Sequence, residues 1–313
     1  MSDVSFVVTL YNKAKYIPAL TNSIFLQKNL GDCEYIFVDD GSTDDTLSIL
    51  EQCTSSHTNI KIISQQNAGP SLATNRGISE ATRPFIKFVD GDEILHPLGT
   101  SELFKAMSML NVEMAFSHGE EIPFTSEKMR APNLPLSKRA PTIIDKPLEV
   151  VAKTAIFNLT CLLASAKVIH DMGGCDTKVF IQDYSFALRL ANNTKFAFVP
   201  STLYWAPLEV TDRASDMGGG AQVLHDSNLA MGYFVAENPG LDPSIKALML
   251  QRAAGRAWKW ARRREGETLL SKHYYRYFWS MLSPGSGDTS ERILATCQSF
   301  PARNIRFTRY SNK

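Results

Sequence analysis

The first hundred residues alternate short apolar runs with amphipathic stretches. The apolar runs are rich in β-branched and aromatic residues and predict strands near residues 5–10, 34–38, 60–64 and 85–89. The amphipathic stretches predict helices near residues 16–28, 43–53, 70–80 and 98–110. Because strands and helices alternate, the pattern favours an α/β fold built from βαβ units with a largely parallel sheet.

Polar residues stand where the predicted strands end. Asp90-Gly91-Asp92 follows one apolar run, Asp39-Asp40 ends another, and Tyr11-Asn12 follows the first. In an open α/β sheet, ligands bind outside the carboxyl ends of the strands, so these side chains are expected to converge. Two carboxylates one residue apart suit a hard divalent cation, although an isolated Asp-x-Asp is more often an ordinary acidic turn.

The order of these motifs resembles that of the family 2 glycosyltransferases of GT-A fold. The resemblance covers residues 4–205 and runs through Tyr11-Asn12, the Val-Asp-Asp-Gly-Ser-Thr-Asp stretch at 38–44, Asn67-Ala68-Gly69 and Asp90-Gly91-Asp92. It implies a Rossmann-like mixed sheet flanked by helices. Beyond the resemblance, the pattern from about residue 227 predicts a C-terminal helical extension. The resemblance further implies a nucleotide-sugar donor, most simply a UDP-sugar, a divalent metal, Mn²⁺ or Mg²⁺, and inversion at the anomeric centre.

The resemblance also implies residue roles. Tyr11 would stack on the uracil, Asp39 would accept a hydrogen bond from it, and Asp92 would ligate the metal. The full set of expected donor-binding residues is Thr9, Tyr11, Asn12, Asp39, Asp40, Asn67, Asn75, Arg76, Asp90 and Gly91. For Asp44 and Asp45, capping of the following helix is the favoured interpretation, since acids in a first turn complement its exposed N–H groups.

A later segment supplies the expected base. Gly173-Gly174-Cys175-Asp176, followed by Asp183 before a helical Leu-Arg-Leu, resembles the part of the family that carries the catalytic carboxylate. Asp183 is therefore the expected base, with a helix N-cap as the alternative. Gln182 replaces the family's preceding acid, which should leave Asp183 easier to ionise.

One departure concerns the donor diphosphate. Where the family has Ala-Arg-Asn-x-Gly, this chain reads Ala73-Thr74-Asn75-Arg76-Gly77. Because a helix turns about 100° per residue, Arg76 cannot simply replace an arginine two positions earlier. The cation that contacts the diphosphate is therefore not predicted by the sequence.

With 313 residues, 44% of them apolar, the chain can form one large domain and a smaller extension. The predicted division is a catalytic domain over 1–210, with a donor half 1–118 and an acceptor half 119–210, then a flexible lid 211–226 and a helical extension 227–313. Residues 120–146 read as a surface excursion. In the lid, His225 is a candidate metal ligand, with a surface or helix-cap histidine as the alternative. Arg213 is a candidate phosphate contact, with a merely solvated side chain as the alternative.

Cysteine spacing and apolar runs bear on the compartment. The five cysteines show no Cys-x-x-Cys spacing, so neither a disulfide framework nor a zinc site is expected. No signal peptide and no run of about 18 apolar residues is evident. The expected location is the cytoplasm, or the inner face of the membrane.

Residues 246–279 carry nine basic residues against two glutamates, although the net charge of the whole chain is only +1. Aromatic residues interleave with these charges, a mixture suited to an anionic membrane surface. A helical extension with packed aromatics and a solvated basic face is at least as good an interpretation. Nucleic-acid binding is not expected, because no recognised motif supports it.

Three function classes remain open at this stage. The first is a metal-dependent transferase that extends a glycan or lipid-linked acceptor in the synthesis of a bacterial-type surface polysaccharide or lipopolysaccharide. The second is an inactive transferase fold that binds glycans or acts as a scaffold. The third is a nucleotidyltransferase, disfavoured because the first strand is not followed by a Gly-rich, Lys-containing loop.

Overall fold

The computed structural model describes residues 2–123, 132, 134–154, 158–208, 220–283, 287–300 and 305–306. Contacts divide the chain into two compact units that interleave in sequence. Unit 1 comprises residues 1–145, 157–175 and 193–210, and unit 2 comprises 146–156, 176–192 and 211–313. The predicted catalytic domain of residues 1–210 would also include segments 146–156 and 176–192, and it stays a prediction.

Unit 1 contains nine described strands and five helices. The strands are β1 (Val4–Leu10), β2 (Cys33–Asp39), β3 (Ile60–Ser64), β4 (Phe85–Asp90), β5 (Ile94–Leu95), β6 (Met114–Ile122), β7 (Thr142–Ile144), β8 (Leu162–Ser165) and β9 (Phe196–Pro207). The helices are α1 (Ile17–Phe25), α2 (Thr46–Thr54), α3 (Pro70–Glu80), α4 (Gly99–Leu110) and α6 (Ala166–Asp171), with α5 belonging to unit 2. The strand and helix predictions for residues 5–110 are confirmed within a few residues at each end.

The strands form one mixed sheet in the order β3-β2-β1-β4-β8-β6-β9-β5, with β7 paired to β9. Strands β3, β2, β1 and β4 run parallel, whereas β8 is antiparallel to both β4 and β6. The sheet buries a core that includes Phe6, Leu20, Phe37 and Leu103. Side chains on both faces of β1 are buried, which explains why most of its residues are apolar.

Unit 2 is helical over its described residues. Its helices are α5 (Pro147–Lys153), α7 (Gln182–Asn193), α8 (Ala221–Glu237), α9 (Pro243–Arg264), α10 (Lys272–Leu282) and α11 (Thr289–Leu294). Asn228 of α8 donates to the carbonyl oxygen of Ala253 at 3.0 Å and to Thr296 Oγ1 at 2.8 Å. This buried amide connects three helical segments, which accords with the predicted helical extension.

Three local predictions differ from the structure. Residues 120–146 are not wholly a surface excursion, because β6 continues to Ile122 and β7 pairs with β9. Within this stretch, residues 124–131 and 133 lie outside the described residues. The apolar run at 159–164 predicts a strand, but its first three residues form a 3₁₀ turn, in which Asn158 Oδ1 accepts from Cys161 N. Of the predicted lid, 221–226 form the first turns of α8, and 211–219 lie outside the described residues.

Two broader expectations can be compared with the structure. None of the five cysteines forms a disulfide. Within the described parts of the chain, no helix has the length and hydrophobicity needed to cross a bilayer.

Candidate functional site

The carboxyl ends of three parallel strands bring the predicted site residues of unit 1 together. Thr9 on β1 is in register with Asp90 on β4, and Leu10 is in register with Asp39 on β2. The backbone N–H of Asp40 donates to the carbonyl oxygen of Leu10 at 2.8 Å. The strand register therefore places Thr9, Asp39 and Asp90 side by side at the carboxyl ends of β1, β2 and β4. We call this row of strand ends the edge of the sheet.

The two aspartates after β2 have different environments. Asp40 accepts from Gln65 Nε2 at 2.8 Å and from the backbone N–H groups of Ala68 and Gly69 at 2.9 and 2.8 Å. Burial raises the pKa of Asp40, and these hydrogen bonds offset the rise only in part. Asp40 thus secures the 65–69 loop. Within the described residues, the Asp39 carboxylate accepts two hydrogen bonds, both long, of 3.3 and 3.4 Å.

Asn12 secures the turn that follows β2. It has a φ of 53°, its backbone N–H donates to Ser42 Oγ at 2.9 Å, and its Oδ1 accepts from Thr43 N at 2.8 Å. Asp44 accepts from the backbone N–H of Thr46 and, at 2.5 Å, from its hydroxyl. Burial would raise the pKa of Asp44, but the hydrogen bonds outweigh it and the pKa is lowered. These bonds accord with the favoured capping interpretation of Asp44.

Lys13 forms an ion pair with Asp92, the expected metal ligand. Its Nζ lies 2.5 Å from Asp92 Oδ2, and both side chains are largely buried. The backbone N–H of Lys13 donates to Thr46 Oγ1 at 2.7 Å. A Cβ on Gly91 would lie 2.9 Å from Lys13 Cγ, so only glycine permits the lysine stem to pack this closely against the turn. Lys13 is therefore fixed at the Asp-Gly-Asp turn by contacts at both ends.

Residues 158–160 also contact this turn. The backbone N–H of Asp90 donates to Thr160 Oγ1 at 2.9 Å. Asn158 Nδ2 donates to Glu93 Oε1 at 3.0 Å. These two bonds join residues about seventy positions apart. One holds the backbone of Asp90 and the other holds the side chain of Glu93.

Lys87 lies fully buried beneath the turn. Its Nζ donates to the carbonyl oxygen of Thr160 and, at 3.1 Å, to that of Phe88. Burial lowers the pKa of Lys87 to about 8, although the nearby Cys161, Glu93 and Asp90 favour the charged form. Burying an ammonium group is costly, and its hydrogen bond to the carbonyl oxygen of Thr160 connects the 3₁₀ turn to β4.

Helix α3 carries the stretch that departs from the family pattern, and its residues Thr74, Asn75 and Arg76 have three different environments. Thr74 is buried, and its hydroxyl has no hydrogen-bond partner among the described residues. Arg76 is 51% exposed and pairs with Glu80 at 2.9 Å, one helical turn away. Asn75 donates to the carbonyl oxygen of Cys175 and accepts from its N–H, at 3.0 and 2.8 Å. Asn75 therefore connects α3 to the Gly-Gly loop, and Arg76 makes its ion pair on the exposed face of the helix.

Two expected donor contacts are open to solvent. Tyr11 is 43% exposed, which leaves a ring face available for stacking on a base. Asn67 is also exposed, and a Cβ on Gly41 would lie 2.7 Å from its backbone nitrogen. Gly41 has a φ of +75°, so this close approach of the two loops requires glycine.

Two further predicted residues lie in unit 2. Asp183 is in the first turn of α7 and is partly buried. His225 is buried in α8, with its Nδ1 2.8 Å from Asp226 Oδ1. The other oxygen of Asp226 accepts from the backbone N–H of Ile181 at 2.9 Å. His225 thus belongs to a buried network next to α7, while Arg213 lies outside the described residues.

The donor set at the turn suits a hard cation that arrives with phosphate. Across the described segments, no group of three or more His, Cys, Asp or Glu side chains is arranged to hold a metal ion by itself. Asp90 and Asp92 nevertheless offer carboxylate oxygens, and Mg²⁺ is commonly bound by one or two carboxylates together with substrate phosphates. These residues fit a shared metal and diphosphate site better than a metal cage made of protein alone.

Lys13 and Thr160 were not among the residues singled out in the sequence. A signal for Lys13 exists, because it directly follows Tyr11-Asn12 at a strand end. Thr160 has no such signal, since its contact with Asp90 spans 70 residues and depends on β8 pairing with β4.

Comparison with known proteins identifies related sequences for part of the chain. Residues 5–143 match the family model described as Glycosyl transferase family 2. Over 94 residues the chain is 37% identical to chondroitin synthase of Escherichia coli, and over 90 residues 36% identical to cholesterol galactosyltransferase of Borreliella burgdorferi. These matches cover 30% and 29% of this chain, but only 14% and 25% of those proteins.

Solved structures resemble nearly the whole chain. The S. aureus TarS 1–349 structure in complex with UDP-GlcNAc superposes with a TM-score of 0.67 at 17% identity, covering 97% of this chain and 82% of that one. Mannosyltransferase PcManGT from Pyrobaculum calidifontis, in complex with GDP-Man and Mn²⁺, gives 0.58 at 16% identity, covering 95% and 79%. At this identity the likeness establishes the fold, and the predicted GT-A class is confirmed.

Proposed function

Through residues 5–143 the chain belongs to the family 2 glycosyltransferases, and we propose that it transfers a sugar from a nucleotide donor to a hydroxyl group of a glycan or lipid-linked acceptor. The observation that carries the proposal is the edge formed by Thr9, Asp39 and Asp90, with the Lys13–Asp92 ion pair beside it. This edge combines groups for a base, a ribose and a diphosphate at the position where α/β sheets bind nucleotides. The sugar would be a hexose or an N-acetylhexosamine.

We propose UDP as the nucleotide. Support comes from TarS, which has been solved with UDP and with UDP-GlcNAc, while PcManGT was solved with GDP-Man. In this chain, the exposed Tyr11 would stack on the uracil and Asp39 would accept from the base. The long hydrogen bonds of Asp39 support this role, because its carboxylate can exchange them for a ligand contact with little loss.

The diphosphate would lie over the Asp-Gly-Asp turn. Among the described residues, Lys13 supplies a cation at this turn, whereas Arg76 pairs with Glu80 and Thr74 is neutral. Asp92, and with it Asp90, would hold the divalent metal. When bound there, Mn²⁺ or Mg²⁺ supplies the positive charge that neutralises the leaving diphosphate.

Asp183 would act as the base in an inverting transfer. The acceptor hydroxyl gives its proton to the Asp183 carboxylate as its oxygen bonds to the anomeric carbon. The bond from that carbon to the diphosphate oxygen breaks, and UDP leaves with the electron pair. Support for this role is the position of Asp183 in the first turn of α7, after the Gly-Gly loop that Asn75 holds. His225 stays a low-ranked metal ligand, since it already pairs with Asp226.

The proposed setting is the synthesis of a surface polysaccharide or lipopolysaccharide at the cytoplasmic face of a bacterial-type membrane. Support comes from the partial match to chondroitin synthase of Escherichia coli, which extends over 94 residues. Contact of residues 246–279 with an anionic membrane would bring the enzyme to a lipid-linked acceptor. A scaffold without activity is the second candidate, favoured by the neutral Thr74 in place of the family arginine.

Release of UDP from a panel of UDP-sugars tests the proposed reaction, because water can replace an unknown acceptor. We expect slow, metal-dependent release by the wild-type protein with one UDP-sugar, reduced by about 100-fold in Asp183→Asn. Calorimetric binding of UDP to the variant serves as the control, and it should be unchanged. Release at an equal rate by the variant would refute the assignment of Asp183, and UDP binding without any release would favour the scaffold.

A further inference from the structure

Helix α10 carries an apolar surface that the described residues of unit 2 leave exposed to solvent. Its members lie three and four positions apart on the helix, with two leucines directly before it. We call this the α10 face, and it consists of Leu269, Leu270, Tyr275, Phe278, Trp279 and Leu282. Leu270 is 98% exposed, Tyr275 60% and Trp279 44%. Burying such side chains in a less polar phase is favourable, so their joint exposure indicates a contact surface.

The aromatic residues of 246–279 divide into two groups. Trp258 and Trp260 of α9 are buried, with rings 5.2 Å from Tyr274 and 5.7 Å from Phe300, respectively. These residues pack within the unit, as the alternative interpretation of the sequence expected. Tyr275 and Trp279 are different, because they stack on each other at 5.8 Å with both side chains exposed. Internal packing therefore accounts for the first group and leaves the second without an explanation.

Exposed basic residues lie close to the α10 face in the sequence, shortly before Leu269 and at the start of α10. Arg262, Arg263 and Arg264 end α9 and are exposed, and Lys272 begins α10 and is exposed as well. One of the two nearby acids, Glu267, is engaged with His273, with Oε2 2.5 Å from Nδ1. The surface thus combines Leu, Tyr and Trp side chains with a local excess of positive charge, which suits lipid headgroups of negative charge.

We propose that the α10 face binds the interfacial region of an anionic bilayer. Tyr275 and Trp279 would lie at headgroup depth, Leu269 and Leu270 would enter the acyl boundary, and the flanking arginines would contact lipid phosphates. A second copy of the chain is the less favoured occupant, because a two-fold contact across this face would place the arginine clusters of both copies at one interface. Only the role of this membrane contact, which is access to a lipid-linked acceptor, rests on the proposed function.

Flotation with lipid vesicles tests this inference. The four tryptophans are Trp205, Trp258, Trp260 and Trp279, and only Trp279 is exposed, so its emission reports directly on the face. With vesicles of phosphatidylcholine containing about a quarter phosphatidylglycerol, we expect flotation and a blue shift of the emission. Pure phosphatidylcholine should bind about tenfold less, and raising the salt should release the protein.

Variants distinguish binding through the α10 face from non-specific adsorption to vesicles. The double variant Leu270→Ser/Trp279→Ser should bind anionic vesicles about tenfold or more weakly. It lacks two apolar side chains that the wild-type protein would bury in the bilayer. Met109→Ser is the matched control, because Met109 is 68% exposed on α4 in unit 1. Arg262→Gln with Arg263→Gln should weaken binding to anionic vesicles while leaving the weak binding to neutral ones unchanged.

Two outcomes would overturn the proposal. One is failure of the wild-type protein to float with anionic vesicles, or equal flotation of the serine variant. The other is a dimer in solution that the serine variant abolishes, which would assign the face to a second copy. Calorimetry with UDP on the same samples keeps the two accounts apart, because nucleotide binding without vesicle binding refutes only the membrane inference.

Discussion

Lys13 Nζ lies 2.5 Å from Asp92 Oδ2, so the expected metal ligand already has a positively charged partner. The lysine stem packs against Gly91, and its backbone is held by Thr46. The Lys13 ammonium group therefore competes with any metal for Asp92. A divalent ion that takes Asp92 must displace this ammonium group, which would then be close to the diphosphate.

Replacing Lys13 should change metal and nucleotide affinity in opposite directions. In Lys13→Met, Asp92 no longer has a competing partner, so Mn²⁺ alone should bind about fivefold more tightly, the equivalent of a partly buried ion pair of about 1 kcal/mol. UDP in the absence of metal should bind more weakly, because a phosphate contact is lost. Isothermal calorimetry measures both affinities.

Lys15→Met is the control for that variant. Lys15 is a neighbouring exposed lysine whose Nζ lies 4.6 Å from the centre of the Tyr16 ring. Its removal changes the net charge equally but leaves Asp92 paired. Equal Mn²⁺ affinity in Lys13→Met and the wild-type protein would show that the ion pair does not compete with the metal.

The two aspartates after β2 should differ in what their replacement disturbs. Asp40→Asn places an amide nitrogen beside the donors of the 65–69 loop, so one hydrogen bond becomes a repulsion, and unfolding should need about 2 kcal/mol less. Asp39→Asn should change stability by less than about 1 kcal/mol, because its bonds are long. It should instead weaken UDP binding. Urea unfolding measures the stability of both variants, and calorimetry measures their UDP affinity. A large loss of stability in Asp39→Asn, with weaker UDP binding in Asp40→Asn, would contradict these roles.

Lys87 should make stability depend on pH in an alkaline window. Its pKa is about 8 in the folded protein against an ordinary 10.5, so between these values the unfolded chain binds more protons. Stability attributable to Lys87 must therefore rise as the pH increases from 8 to 10.5. The wild-type free energy of unfolding should gain about 3 kcal/mol relative to Lys87→Met across that window.

Urea unfolding of both proteins at several pH values measures this difference directly. Lys105→Met serves as a control, because Lys105 is an exposed lysine paired with Glu102. A constant difference between the wild-type protein and Lys87→Met from pH 8 to 10.5 would mean that Lys87 titrates normally.

The parallel half of the sheet was predictable because its signals are local. Each of β1 to β4 is a short apolar run that ends in polar residues, and α3 begins at Pro70 directly after Gly69, as helix-start rules expect. The pairing of β8 with β4 and of β7 with β9 was not predictable. These contacts join distant segments, and nothing in a short strand such as Thr142–Ile144 specifies its partner.

The site was predictable to a similar degree. Asp39, Asp90 and Asp92 stand at strand ends, where topology alone brings them to one edge. The structure then separates their neighbours by role: Asp40 holds a loop, Asn12 holds a turn, and Arg76 pairs with Glu80. The sequence could not separate these roles, because hydrogen-bond partners depend on side-chain packing rather than on residue type.

The most direct measurement is a calorimetric titration of the folded protein with UDP and GDP, with and without Mn²⁺. The account predicts that UDP binds, that Mn²⁺ strengthens its binding by about tenfold, and that Asp92→Asn abolishes the gain due to the metal. Binding of neither nucleotide, by protein that unfolds cooperatively, would contradict a donor site at the edge of the sheet.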